Sequence, residues 1–378
     1  MNADAVLNAY IDLNLLLAAG VTVWLALRWA LSKSALGLEF IQQQNLLNWM
    51  IAGLVAAPFA ADMLNGRVIT HAPNLSDMLV SQYLSGNVGM SATAFEGLLG
   101  AREAFERDFL LGQSPLVLTL WALLGAGAVF SLLFTARAAS KLRGILKGAY
   151  VLRKIGRVQL LVSDTTRVAF ATRGLRNRYV VLPSGMLQTG ADLRLVVAHE
   201  LQHFRHRDVE IEFVFEALRP FLFWNPAFFM WRQETRAMRE YACDQALVRR
   251  HGFDARAYCE CLIRACETAL KARRGAHLST PTVGLVDLRN ARRGATLKRR
   301  IVAATATRRA DNTRVGWLML LAALLTLSFA TALLIQRPAD WSHDRLMLST
   351  IVNLERMAAR NAAPAQADLP AGFVFSAY

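Results

Sequence analysis

Cysteine is scarce in this 378-residue chain, and its placement argues against a disulfide framework. Cys243, Cys259, Cys261 and Cys266 all fall in one stretch that charge assigns to the cell interior, where thiols stay reduced. The spacing of Cys259, Cys261 and Cys266 matches no usual zinc pattern and sits in a helical context, so they are read as buried or half-buried helix thiols. The N-terminus has no basic n-region ahead of a short apolar run, so no cleaved signal peptide is expected. No internal repeat occurs. Lys and Arg number 43 against 28 Asp and Glu. Even so, no helix-turn-helix or aromatic-interleaved basic patch stands out, and no specific nucleic-acid partner is expected.

Apolar residues are in excess: 54% of the chain is hydrophobic and the mean hydropathy is +0.28, too apolar for an ordinary soluble enzyme. Four stretches account for it: Tyr10 to Leu31, Leu46 to Leu64, Pro115 to Phe134 and Val315 to Ile335. Each has about the 20 residues needed to cross a bilayer core as a helix. Asp12 and Arg28 lie near the ends of the first, where such side chains reach the interface, and the second contains Pro58 and Asp62.

Charge orients the spans. Residues 136–314 hold 34 Lys and Arg against 15 Asp and Glu, whereas residues 65–113 hold 3 against 5. Arg137, Lys141, Arg143 and Lys147 follow the third span, and Arg308, Arg309 and Arg314 precede the fourth. Lys and Arg beside a span mark its cytoplasmic side. The expected organisation is two N-terminal transmembrane helices over 1–64 and an extracytoplasmic loop over 65–114. A third span follows over 115–135, then a cytoplasmic domain over 136–314, a fourth span over 315–335 and a short extracytoplasmic tail over 336–378. Both termini lie outside, in a multi-pass membrane protein.

Within the cytoplasmic segment a basic amphipathic helix is expected over Ala136 to Lys154, along the membrane surface. β-like runs follow at Val158–Val162, Val168–Thr172 and Tyr179–Pro183, the last a candidate edge strand for pairing with an extended substrate. Helical patterns open at Ala191, Arg232 and Ala255. The run Phe213 to Trp231 is broken by Pro220 and Asn225-Pro226 and is unusually aromatic, so it reads either as a core helix or as a segment dipping into the membrane interface. Residues 274–313 read as a basic surface arm, and 357–370 as a low-complexity tail.

One motif carries chemistry. His199-Glu200-Leu201-Gln202-His203 has the pattern H-E-x-x-H, which sets two imidazoles one helical turn apart on one face, able to grip one zinc ion. Glu200 between them is placed as general base toward a water activated by the metal. A catalytic zinc commonly takes two His and one Glu and keeps a fourth position open. The best third donor is Glu240, with Asp244 one turn later to accept a hydrogen bond from a ligand histidine and fix its tautomer. Glu234 is the rival ligand, but has no carboxylate one turn on. His206 reads as a solvated helix residue. Tyr241, His206 and nearby arginines are the candidates for oxyanion stabilisation.

These residues have a family likeness. Val197-Ala-His-Glu-Leu-Gln-His-Phe-Arg-His-Arg-Asp208, Phe223-Trp-Asn-Pro226 and Arg239-Glu-Tyr-Ala-Cys-Asp244 together resemble the antibiotic-sensing membrane metallopeptidases of the BlaR/MecR type. The resemblance runs from the third span through the fourth, more loosely over the first two. It implies a cytoplasmic gluzincin domain with zinc ligands His199, His203 and Glu240 and base Glu200. Its implied role is signal transduction, by cleavage of the chain itself or removal of a cytoplasmic transcriptional repressor. The implied fold is an α-helical membrane protein of about four transmembrane helices with an inserted α+β zinc protease domain. The C-terminal penicillin-binding sensor domain of the family has no counterpart in residues 336–378, which contain no S-x-x-K, so covalent capture of a β-lactam is not implied. The lipid bilayer and a protein substrate are the expected partners, with a homo-oligomer possible. Two other readings compete: a housekeeping HtpX- or CAAX-type membrane protease, and a non-catalytic membrane transducer.

Overall fold

A computed structural model describes residues 3–64, 74–112, 114–174, 176–188, 190–249, 253–271, 294–305, 313–335 and 343–362. The chain is mostly helical. Among the described residues, five α-helices precede the sheet: α1 (Ala3–Ser32), α2 (Phe40–Leu64), α3 (Leu75–Leu84), α4 (Ala92–Leu111) and α5 (Pro115–Lys147). Four strands follow, β1 (Tyr150–Ile155), β2 (Val158–Ser163), β3 (Phe170–Arg173) and β4 (Arg178–Pro183). The remaining helices are α6 (Gly190–Arg205), α7 (Asp208–Leu222), α8 (Pro226–Val248), α9 (Ala255–Lys271), α10 (Gly294–Thr305), α11 (Arg314–Ile335) and α12 (His343–Ala362).

Among the described residues, three helices are long and apolar enough to cross a membrane: Val6–Ser32 of α1, all of α5, and α11. The second expected span is helical as α2, with Pro58 inside it, and packs along α1, α8 and α11. Leu16, Trp24, Leu47, Met50 and Leu54 share one core with Phe215 and Trp231 of α7 and α8 and with Leu324 of α11. α7 and α8, the latter carrying Glu240, are therefore continuous in packing with the apolar helices. A second core lies between the sheet and α6 and α9, around Val180, Leu182, Val196, Phe204 and Leu262. α3, α4 and α12 pack together around Val80, Phe95 and Val352.

The sheet order is β1-β2-β4-β3, with β2 and β4 parallel and the outer pairs antiparallel. β4, read above as an edge strand, is therefore interior. Both its edges are hydrogen-bonded to neighbours, so a substrate cannot add to it; β1 and β3 are the edges. The basic stretch is also divided. The helix of the third span runs unbroken to Lys147, and Tyr150–Ile155 leaves it as β1, turning back into β2 at Gly156, whose φ of 58° lies in the left-handed region that glycine adopts without strain. The aromatic run becomes two helices that meet at Phe223–Asn225, where Asn225 caps α8 by accepting from the Ala227 N–H at 2.9 Å. Within the expected surface arm, 294–305 form α10 and enter the protein interior; 274–293 and 306–312 lie outside the described residues. Of the low-complexity tail, 357–362 belong to α12 and the remainder also lies outside them.

Candidate metal centre

α6 presents His199 and His203 on one face, both fully buried, with ring centroids 4.8 Å apart and planes nearly perpendicular. α8 returns past α6 and brings Glu240 to them. Glu240 Oε2 lies 3.6 Å from His199 Nε2, and Oε1 lies 3.8 Å from His203 Nε2. Metal–ligand bonds of about 2.0–2.2 Å in a tetrahedron set ligand atoms roughly 3.3–3.6 Å apart, within a few tenths of what is seen. Both Nε2 atoms are buried without a hydrogen-bond partner among the described residues, an expensive arrangement unless a cation sits between them. The donor set and its spacing thus fit a divalent metal. Glu200 is buried on α6 between the two histidines.

The opposite ring nitrogens are held by the protein. His203 Nδ1 lies 2.8 Å from Asp208 Oδ2. Tyr258 on α9 donates to Asp244 Oδ1 at 2.6 Å, and its oxygen lies 2.9 Å from His199 Nδ1. Each Nδ1 then carries the proton and each Nε2 keeps its lone pair for a ligand. Asp244 stands 3.5 Å from His199 Nδ1, so its expected support of that ring passes through the Tyr258 hydroxyl. Arg300 of α10 donates to both oxygens of Asp244 at 2.7 Å and lies 3.2 Å from Glu240 Oε2. From α2, Gln44 donates to Asp208 Oδ1 at 2.7 Å.

Electrostatics agree with a metal site. Burial pushes His199 down to about 3, so the imidazole is neutral at physiological pH. Burial pushes Glu240 up to about 7, against the pull of Arg300 and His203; a desolvated carboxylate of this kind gains by meeting a cation. Burial and nearby carboxylates raise Cys243 well above the ordinary thiol range, so it stays a neutral donor, 3.4 Å from Asp208 Oδ2. His203, Asp208 and Cys243 also lie close enough to suggest a second metal group. The His203 nitrogen facing them already bonds Asp208, so this trio supports the first site.

The rival ligand is elsewhere: Glu234 pairs with Arg28 of α1 and accepts from Trp24 Nε1 at 3.3 Å. Tyr241 packs edge-on against Phe40, 5.3 Å between centroids, and His206 is half-buried with Nε2 2.8 Å from Gln202. Neither stands as a donor in the metal cage. All four thiols are buried or half-buried on helices. Asp208, Tyr258, Arg300 and Gln44 were not singled out from sequence. Only Asp208 carried a signal there, one helical turn and a residue beyond His203 in the quoted motif.

Two buried histidines on α6 meet a glutamate on α8, a helix that shares a core with the apolar helices, and this is the arrangement of a membrane metallopeptidase. The family model for BlaR1 peptidase M56 matches residues 11–283, and the chain belongs to that family. No curated protein matches the chain by sequence.

Proposed function

We propose that this protein is an integral membrane zinc endopeptidase that hydrolyses peptide bonds on the cytoplasmic side and serves signal transduction, by cutting itself or a cytoplasmic transcriptional repressor. The observation that carries the reading is the cage of His199 Nε2, His203 Nε2 and the Glu240 carboxylate, with two nitrogens left unsatisfied. Zinc suits it, because imidazole and carboxylate ligands at these spacings are its usual catalytic set. Lys and Arg clustered at the 136–147 and 308–314 ends of the spans support a cytoplasmic site, with four spans and both termini outside.

Bound zinc supplies Lewis acidity toward water and the scissile carbonyl. Glu200 takes the proton from the attacking water and returns it to the leaving amine. Asp208 and Tyr258 hold the rings of His203 and His199 in the orientation that aims Nε2 at the cage. Arg300 holds Glu240 in place and balances its charge.

The test is cleavage by the purified full-length chain, of itself and of transcriptional repressors encoded beside it, before and after chelation. Cleavage that stops on chelation and returns with zinc supports the reading. Bound zinc with no cleavage under any inducing condition favours a non-catalytic transducer.

A further inference from the structure

Pro220 to Trp231 contains no charged residue and comprises the end of α7, the turn at Phe223–Asn225 and the start of α8. Its register against two apolar spans gives its depth. Thr135 of α5 donates to Glu216 at 3.5 Å, and the Arg219 guanidinium lies 4.3 Å over the Phe134 ring. One turn further on, just past the end of α7, Phe223 sits against Gly127, where an added Cβ atom would collide with its ring. Gly127 lies about two turns outward of Thr135, roughly 12 Å at about 1.5 Å per residue. On α1 the same tip reaches deeper: Trp224 Nε1 donates to Tyr10 Oη at 2.6 Å, and Asn225 Nδ2 donates to Asn14 Oδ1 at 2.7 Å. Trp231 follows, its Nε1 donating to the Leu17 carbonyl at 2.9 Å and its ring against Gly20.

We propose that the α7–α8 hairpin is re-entrant: it enters the bilayer from the side of the metal centre, and lipid acyl chains cover Phe221, Trp224, Phe229 and Met230. These four are exposed, Phe221 at 66%, on a tip level with Gly127 inside α5 and with Tyr10 and Asn14 toward the outer end of α1. Non-helical backbone at that depth must find its hydrogen bonds within the protein. At the tip the Asn225 N–H donates to the Leu222 carbonyl at 3.1 Å, Tyr10 Oη donates to the Phe221 carbonyl at 2.5 Å, and the Asn225 side chain caps Ala227. The charges nearest the tip face one another, with Glu216 paired to Arg219 and Arg232. Glu240 follows Trp231 by about two and a half turns of α8, roughly 13 Å toward the metal side. The metal centre is thereby held at the membrane boundary, and the peptide it reaches is one lying at or emerging from the lipid surface.

The inference rests on reading α1 and α5 as membrane spans, and the test separates the two. A nitroxide label is placed at Phe221→Cys and, separately, Phe229→Cys in the full chain, in vesicles of phosphatidylcholine and phosphatidylglycerol. Unmutated protein gives the background from native thiols. Leu123→Cys on the exposed face of α5 serves as the lipid reference and Arg256→Cys on α9 as the water reference. Collision rates with dissolved oxygen and with a water-soluble nickel chelate are measured for each. The expected result is the Leu123 ratio of oxygen to nickel at both hairpin positions. An Arg256-like ratio at either position, with Leu123 reading as lipid, overturns the re-entrant hairpin alone. A water-like Leu123 overturns the spanning assignment of α5 and the hairpin with it.

Discussion

The hydroxyl of Tyr258 on α9 lies 2.9 Å from Nδ1 of His199 on α6, although 59 residues separate them in the chain. Because that hydroxyl donates onward to Asp244, it accepts the imidazole proton and leaves Nε2 for the metal. Tyr258→Phe removes the acceptor without changing the packing volume much. Zinc affinity, measured by chelator competition, is expected to fall about 10- to 100-fold, the usual cost of losing such a partner. Unchanged affinity would show that the ring is held by something else.

Arg300 bridges Asp244 and Glu240 from α10. Arg300→Gln strips two neighbouring carboxylates of a buried guanidinium, and a loss of about 3–5 kcal/mol is expected in denaturant unfolding of the metal-free protein. Arg300→Lys keeps the charge but loses the two-pronged geometry, so it should fall between the two.

Gln44 carries the position of α2 to the metal centre through Asp208 and His203. Gln44→Met preserves the side-chain length and removes the amide. Its zinc affinity should drop by up to about tenfold, less than for Asp208→Ala, since it acts one contact further out. In the double variant the Gln44→Met effect should vanish, and full additivity would contradict the link.

The residues of the candidate site were legible in sequence through helical spacing. His199 and His203 are four apart, and Glu240 was picked out over Glu234 by the carboxylate of Asp244 four residues on. Tyr258 and Arg300 share no such spacing; they are a lone tyrosine and one arginine among many, and only tertiary packing sets them apart. Arg300 also lies beyond the residues that match the family. Three of the four expected spans, in α1, α5 and α11, are helices long and apolar enough to cross a membrane; α2, with Pro58 inside it, is not among them. Strand order was not legible, because the parallel pairing of β2 with β4 places Tyr179–Pro183 inside the sheet by a long-range contact that local alternation does not encode. The start of β1 was hidden by basic residues shared between the end of α5 and the strand.

Glu212 sets a pH dependence of stability. Burial pushes its carboxyl up, but Arg239, Arg236 and Arg232 outweigh burial and hold it below the ordinary value of 4.5. A depressed carboxylate contributes stability that is present above about pH 4.5 and lost as pH falls through its lowered value. Thermal midpoints of the wild type should therefore drop steeply below that pH. Glu212→Gln should be destabilised by about 3 kcal/mol near neutrality, from the unpaired arginines, and should show a flatter acid slope.

The most direct test of the metallopeptidase assignment is to measure zinc per chain and peptide cleavage side by side in the wild type, Glu200→Gln and Glu240→Ala. The expected result is one zinc in the wild type and in Glu200→Gln, with cleavage about 10²- to 10⁴-fold slower in the latter, and zinc lost from Glu240→Ala. Full zinc affinity in Glu240→Ala, or undiminished cleavage in Glu200→Gln, would contradict it.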